Sequence, residues 1–255
     1  MSNSLSVSIL IPAHNEESVI ENTILQLNTE LTAASIEYEI LVVNNCSKDK
    51  TEQIVDSLSR QHNNIRYINT PDLPGYGVAV RCGLKSFAND SVIIVMADAS
   101  EKPSDVIALY KELENGADCA FGTRFSGGTV IGYPKFKLLM NRLGNFVLSR
   151  FAGLKYDDYT NGFKGYKREI IESITPLVSQ EFNLTVEMTI KAIKSSTNVT
   201  IVPNSWEDRP DGESKFRLFR QCTLYSVTLL YCFLHHHLRG GKWKLIEHPS
   251  NIQQK

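Results

Sequence analysis

Four compact polar clusters follow apolar runs along the chain. They are Pro12-Ala13-His14-Asn15-Glu16, Asn44-Asn45-Cys46-Ser47, Ala97-Asp98-Ala99-Ser100-Glu101 and Gly122-Thr123-Arg124. Carboxylates and amides so placed can take hydrogen bonds from sugar hydroxyls or a base, and an arginine offers the two-pronged donor that suits phosphate. Other chemistries find little support. The cysteines Cys46, Cys82, Cys119, Cys222 and Cys232 are odd in number and never form a C-x-x-C pair, so they read as reduced thiols. His235-His236-His237 would diverge by about 100° per residue on a helix, a poor cage for one metal. No GxGxxG follows the first strand and no P-loop consensus occurs, which removes the usual dinucleotide and nucleoside-triphosphate fingerprints.

Periodicity supplies the elements that must position these clusters. Val7, Ile9 and Ile11 alternate with Ser6, Ser8 and Leu10 in a strand stopped by Pro12, and Asn15-Glu16-Glu17 starts an amphipathic stretch carrying Val19, Ile20, Ile24, Leu27 and Leu31. A strand over 38–43, a helix over 51–60 and a strand over 65–68 follow, then a Gly75-Tyr76-Gly77 turn into a helix through Val80 and Leu84. Residues 92–96 read as a strand covered on both faces, followed by helix 103–114, strand 118–122 and helix 136–151. Beyond residue 155 the pattern loosens to a strand near 162–166, a helix near 184–194 and a strand near 199–202. Strands alternating with helices predict an α/β sheet, largely parallel, whose ligands lie outside the carboxyl ends of the strands. The four clusters are those ends.

Length and composition bound the rest. At 255 residues the chain suits one large domain, or one domain with a tail, and 42% hydrophobic residues rule out disorder. Lys and Arg number 27 against 28 Asp and Glu, a balance that argues against a nucleic-acid partner. No apolar run approaches the ~20 residues of a spanning helix, and MSNSLSVSIL lacks the features of a signal peptide, so a cytoplasmic protein is expected. Residues 222–234, CTLYSVTLLYCFL, carry no charge; as a helix they would reach about 20 Å, short of a bilayer core of about 30 Å. Lys215, Arg217 and Arg220 flank them on one side and Arg239, Lys242 and Lys244 on the other. That pattern fits a helix at an anionic membrane surface, or a core helix packed on the sheet or on a partner subunit.

In order along the chain, these segments resemble the landmarks of the family-2 glycosyltransferases of the GT-A fold, and within them the dolichyl-phosphate mannose and glucose synthases. SILIPAHNEE resembles the opening strand and P-x-N-E turn, and ILVVNNCSKDKT the second strand with its D-D-x-S-x-D-x-T turn. IIVMADASEKP sits where the family carries its metal-binding D-x-D; FGTRF, NGFKGYKRE, FNLTVEM and RPDGESK match downstream landmarks. The resemblance covers roughly residues 5–220 and implies a GT-A (Rossmann-like), mostly parallel sheet flanked by helices over 1–220, with a C-terminal apolar helix and basic tail over 221–255. The function it implies is an inverting transfer of a hexose from a nucleotide diphosphate sugar to a polyprenyl phosphate, assisted by Mg²⁺ or Mn²⁺, at the cytoplasmic membrane face.

Carried over residue by residue, the resemblance implies donor contacts from Pro12, His14, Asn15, Glu16, Asn44, Ser47 and Asp98, and metal contacts from Asp98 and Glu101. It implies catalytic roles for Asp98, Arg124 and Glu187, and phosphate contacts on the acceptor side from Lys164, Arg209, Ser214 and Lys215. Two departures matter. Asn44 stands where the family usually has a base-reading Asp, and Ala97-Asp98-Ala99 keeps one acid where the family pattern has two flanking a middle residue. Glu187, among apolar neighbours, is either a general base with a raised pKa or a satisfied partner for one of the arginines; a phosphate acceptor, with its second pKa of about 6, is already an anionic nucleophile and leaves it a structural or orienting role. Transfer to a glycan hydroxyl would need a true base, with Glu187, Asp157 and Asp158 as candidates. The lost acids also fit a catalytically degenerate nucleotide-sugar-binding subunit.

Overall fold

The computed structural model describes residues 4–70, 73–131, 135–207 and 218–238. The strands are β1 (Val7–Ala13), β2 (Tyr38–Asn44), β3 (Ile65–Asn69), β4 (Ser91–Ile94), β5 (Cys119–Thr123), β6 (Thr129–Ile131), β7 (Lys164–Lys167), β8 (Val199–Pro203) and β9 (Ser205–Glu207). The helices are α1 (Ile20–Ala33), α2 (Thr51–Gln61), α3 (Tyr76–Leu84), α4 (Pro103–Glu114), α5 (Lys135–Ala152), α6 (Arg168–Ile174), α7 (Asn183–Ser195) and α8 (Leu218–Leu238). Seven strands form one sheet in the order β3-β2-β1-β4-β7-β5-β8, and β6 pairs with β9 in a small parallel ribbon. β7 alone in the large sheet runs antiparallel to its neighbours β4 and β5. The mostly parallel α/β sheet expected from the sequence is therefore present.

Alternation along β1 divides the core. Val7, Ile9 and Ile11 pack with α1, α2 and α4 through Ile24, Val55 and Leu109, whereas Leu10 packs on the other face with Val80 of α3. That second face also carries α5, α6, α7 and α8, through residues such as Leu148, Ile171, Leu184 and Cys232. Removing a Val, Leu or Ile side chain from water in this way stabilises the fold by about 1.5–3 kcal/mol each.

Several boundaries differ from the sequence reading. α1 starts at Ile20 rather than at Asn15, because Asn15 adopts φ 55° and the N–H groups of Val19 and Ile20 both bond to Glu16 O in a separate turn. The strand read over 92–96 is shorter, although Val95 N–H still reaches Leu10 O at 3.0 Å. α6 and the β6–β9 ribbon had no periodic signature; α6 has seven residues and each ribbon strand three. α8 extends the apolar segment at both ends, and among the described residues no helix is long and apolar enough to cross a membrane.

Two glycines bring α3 against the loop before α7. Gly75 holds φ 149°, and Gly77 donates its N–H to Gln180 O at 2.9 Å. A Cβ on Gly77 would lie 2.7 Å from both Gln180 C and Ser179 O, atoms of backbone that no rotamer change can move. Gly77→Ala is therefore expected to lower stability by about 1–3 kcal/mol, measured by urea unfolding; an unchanged midpoint would show that the 179–180 backbone yields freely.

Candidate active site

The turns after β1 and β2 are stapled into one surface at the carboxyl edge of the sheet. Pro12 and Ala13 still belong to β1, paired with Val43 and Asn44. His14 Nδ1 lies 2.5 Å from Asn45 O, which only accepts, so Nδ1 carries the proton and Nε2 takes Asn15 Nδ2 at 3.2 Å. Asn15 N–H donates to Ser47 Oγ at 3.0 Å and Asn15 Oδ1 accepts Lys48 N–H at 2.7 Å. Glu16 N–H donates to Thr51 Oγ1 at 2.8 Å, and Asp49 accepts from Thr51 and from Glu17 N–H. Desolvation works to raise the Asp49 pKa, but these hydrogen bonds outweigh it and hold the carboxyl below its usual range. Pro12, His14, Asn15, Glu16 and Ser47 are thus brought together.

Asn44 and Asn45 divide two tasks between opposite faces of β2. Asn44 shares the face of Val42, toward α2, and is 4% exposed. The Glu52 carboxylate can only accept, so Asn69 turns Nδ2 toward it at 2.8 Å and presents Oδ1 to Asn44 Nδ2, also at 2.8 Å. That leaves Asn44 Oδ1 buried without a hydrogen-bond partner. Asn45, which sequence reasoning left without a role, is the hub of this edge. Its Nδ2 donates to Thr70 Oγ1 at 2.7 Å and Leu73 O at 3.1 Å, and its Oδ1 accepts Gly75 N–H at 2.8 Å. An amide is required there, because a carboxylate has no proton for the Leu73 carbonyl.

The turn after β4 carries Asp98, half-buried, with Oδ1 accepting Ser100 N–H at 3.1 Å and Ala99 at φ 54°. Glu101 lies deeper, 5% exposed, and takes Met96 N–H at 3.2 Å. Burial pushes its carboxyl up to about 7, against the opposing pull of the Met96 N–H hydrogen bond and, less, of the Arg124 charge. Among the described residues no three His, Cys, Asp or Glu side chains converge as a ready metal cage. The donor set instead fits a cation carried in by a diphosphate, with half-buried Asp98 able to meet it and Glu101 already engaged in the interior.

On the other half of the sheet, Arg124 is clamped by Asp158. Nε and Nη2 reach the two carboxylate oxygens at 2.7 and 2.6 Å, the backbone N–H adds a third bond at 3.1 Å, and Asp158 is fully buried. Asp157 accepts from Thr123 Oγ1 at 2.6 Å and Ser126 Oγ at 2.5 Å. Glu187, also fully buried, accepts Val178 N–H, Ser179 N–H and Lys191 Nζ, the last at 2.8 Å, and so braces the loop whose Gln180 carbonyl holds α3. Lys164 is 1% exposed, with its ammonium on the Tyr159 and Asn161 carbonyls and over the Phe121 and Tyr156 rings. Lys164 thus lies inside the molecule and not open to an acceptor phosphate as expected, whereas Glu187 is a satisfied partner, although its cation is Lys191 and not an arginine. Arg209, Ser214 and Lys215 lie outside the described residues. A cavity of about 650 Å³ opens between α5 and the β8 end, bounded by Arg142, Phe146, Lys155, Asp157 and Pro203.

Two outcomes follow from these networks. Asn44→Asp would force Asn69 to turn its donor inward and its carbonyl toward Glu52, acceptor against acceptor. Stability should fall by about 1–3 kcal/mol and recover when Glu52→Gln is added, because Gln can donate to Asn69; urea midpoints of the three proteins test it, and no recovery would refute the relay. Burial pushes Lys164 from 10.5 down to about 7, so between these values the unfolded chain binds more protons and stability rises with pH. The gain in urea midpoint from pH 7 to pH 9 should shrink in Lys164→Met; equal gains would place the titration elsewhere.

The comparisons with known proteins agree with this geometry. The sequence model of a family described as Glycosyl transferase family 2 matches residues 8–175. The chain is 27% identical over 245 residues to a dolichol-phosphate mannosyltransferase of Pyrococcus furiosus, covering 94% of this chain and 65% of that protein. It is 26% identical to glycosyltransferase AglD of Haloferax volcanii, covering 85% of this chain but 35% of that one, and so spans less than two thirds of either relative. With polyprenol monophosphomannose synthase of Mycolicibacterium smegmatis the identity is 29%, covering 81% of this chain and 79% of that protein. Among solved structures, Mycobacterium tuberculosis glucosyl-3-phosphoglycerate synthase shares the fold at TM-score 0.67 and 17% identity, over 89% of this chain and 80% of that one, in a complex with Mn²⁺, UDP and glucosyl-3-phosphoglycerate.

Proposed function

This chain belongs to glycosyl transferase family 2, and on that premise we propose that it is an inverting glycosyltransferase moving a hexose from a nucleotide diphosphate sugar to a polyprenyl phosphate. The observation that carries the choice of acceptor is the state of the acids on the acceptor half of the sheet. Asp158 is committed to Arg124, Asp157 to Thr123 and Ser126, and Glu187 to Lys191 and two backbone N–H groups. A hydroxyl acceptor needs a base to take its proton, whereas a phosphate monoester is anionic near neutral pH and attacks without one. The names of two relatives, a dolichol-phosphate mannosyltransferase and a polyprenol monophosphomannose synthase, point the same way.

In this reading the acceptor phosphate oxygen attacks the anomeric carbon as the bond to the donor diphosphate breaks, so a single displacement inverts the configuration. The stapled surface of Pro12, His14, Asn15, Glu16 and Ser47 receives the nucleoside, with Glu16 accepting from ribose hydroxyls. Asn44, expected from the sequence to read the base, is buried against α2 and held by Asn69, and so fixes the end of β2 instead of meeting the base. Arg124, held in one orientation by Asp158, supplies fixed positive charge to the phosphates. A Mg²⁺ or Mn²⁺ met by Asp98 would offset the charge that develops on the leaving diphosphate. Arg209, Ser214 and Lys215 are assigned to the acceptor phosphate by their match to the family segment alone. Glu187 and Lys164 hold the scaffold. This reading keeps the reaction at the cytoplasmic membrane face expected from the sequence.

The test is transfer from radiolabelled UDP-glucose and GDP-mannose to polyprenyl phosphate, with a glycan hydroxyl acceptor in parallel. Label is expected in an acid-labile lipid product only. Label on the hydroxyl acceptor alone would overturn the acceptor, and nucleotide binding without any transfer would identify a degenerate subunit. Asp98→Asn should reduce the Mn²⁺-dependent gain in nucleotide affinity by about tenfold, read by calorimetry; an unchanged gain would remove Asp98 from the cation's shell.

A further inference from the structure

The cavity between α5 and the end of β8 lies outside the surface formed by the turns after β1, β2 and β4, and its walls sort by chemistry. Its volume of about 650 Å³ falls in the range of small-molecule pockets, about 300–1,000 Å³. One wall is apolar, built from Phe146 of α5, Tyr156, and Ile201 and Pro203 of β8. Tyr156 is 1% exposed and spends its hydroxyl on Gly122 O at 2.7 Å, so only its ring is left to line the cavity. Phe146 is 68% exposed, an aromatic face left bare at the rim.

The polar groups divide into donors with nothing to bond and hydroxyls whose protons are already spent. Arg142 lays its guanidinium over the Phe125 ring, 5.1 Å from the centroid. That contact uses the flat face of the group and leaves its N–H edge for a ligand. Lys155 stands exposed at the same cavity. Among the described residues neither cation makes a hydrogen bond or an ion pair. The acid beside them, Asp157, already accepts from Thr123 Oγ1 and Ser126 Oγ, so two open cations face one hydrogen-bonded carboxylate. Ser126 and Ser149 complete the lining. Their protons go to Asp157 and to Leu154 O, at 2.5 and 2.8 Å, which leaves both hydroxyl oxygens able only to accept.

A ligand that satisfies all of these groups carries an anion for Arg142 and Lys155, hydroxyl donors for the two serines, and an apolar face for the Phe146 ring. We propose that the cavity is a binding site for a monosaccharide phosphate. The phosphate meets the N–H edge of Arg142 and the Lys155 ammonium. The sugar hydroxyls donate to Ser126 Oγ and Ser149 Oγ, and one C–H face of the sugar ring lies on Phe146. An inorganic anion leaves the serine oxygens and the aromatic wall unused, and a neutral sugar leaves both cations unmet. The inference stands on the cavity alone and does not depend on the acceptor proposed above. The Phe125 ring, with the Arg124 guanidinium 5.4 Å from its centroid, sets the occupant one side chain away from the arginine assigned to the donor and acceptor phosphates.

Calorimetry on the full chain with glucose 1-phosphate tests it, with UDP, GDP and Mg²⁺ present throughout to occupy the donor turns. Inorganic phosphate and glucose serve as the two half-probes, and each should bind at least about tenfold more weakly than glucose 1-phosphate. Phenyl phosphate keeps the anion and the apolar face but has no hydroxyl, and it too should bind more weakly. Arg142→Gln combined with Lys155→Gln should weaken glucose 1-phosphate by about tenfold or more, and Phe146→Ala by about threefold. All three side chains are exposed, so the variants should keep the parent's thermal midpoint, which separates lost binding from lost folding. No binding at millimolar probe, inorganic phosphate equal to glucose 1-phosphate, or an unchanged affinity in the double variant would overturn the site. So would binding that appears only when UDP and GDP are left out, since the probe would then be imitating the donor at the strand-end turns.

Discussion

Asn45 joins three stretches of chain at the carboxyl edge of the sheet, beyond the strand pairing that brings them there. Its backbone N–H closes on Ala13 at the end of β1, and its carbonyl fixes the proton on His14. Its amide reaches Thr70, Leu73 and the N–H of Gly75 at the threshold of α3. Each bond alone contributes about 1 kcal/mol, yet leaving one of these buried groups unmade would cost more than the bond returns. The outcome is directional: the β1 turn, the β2 turn and the start of α3 are held at fixed distances, and every donor-side contact proposed for this edge inherits that geometry.

The other half of the sheet is organised by paired charges instead. Arg124 with Asp158 and Glu187 with Lys191 are ion pairs with little solvent around them. Buried pairs of this kind return little net stability, because desolvating two ions consumes most of their attraction, but breaking one strands the partner. Their value here is orientation. Asp158 holds a guanidinium at the end of β5, and Glu187 holds the 178–179 backbone that supports α3 through the Gln180 carbonyl and Gly77. Lys164, in contrast, pairs with no acid in hydrogen-bond range and relies on carbonyl oxygens and ring faces.

The sheet and its strand ends were legible in the sequence because alternation and short turns are local signals. Pro12, His14, Asn15, Glu16 and Ser47 converge where the turn spacing put them. The destination of Lys164 was not legible, since nothing near a lysine states whether its ammonium will find a phosphate or a carbonyl; Glu187, set among apolar residues, did read as a satisfied partner, but the sequence did not single out Lys191. Asn45 looked like a repeat of Asn44, and only β2 alternation together with partners 25 to 30 residues away separates them. Periodicity on α5 marks two stripes, Asn145-Leu148-Ala152 and Leu139-Leu143-Val147, without saying which one the sheet will cover. α6 and the β6–β9 ribbon are too short to carry a period at all.

The reversed direction of β7 has a consequence for how this chain can change over evolutionary time. Because β7 begins where β4 and β5 end, the stretch leading into it arrives at the same edge as the strand-end turns, and Asp157 and Asp158 reach Thr123 and Arg124 from that approach. An insertion or deletion of one residue between Asp158 and Lys164 would either slide β7 by one step, turning Lys164 and Tyr166 to the opposite face, or pull the acid from the arginine. The length of that five-residue approach, Tyr159 to Phe163, is thus locked from both ends. Drift around β7 should therefore be limited to exchanges that preserve spacing.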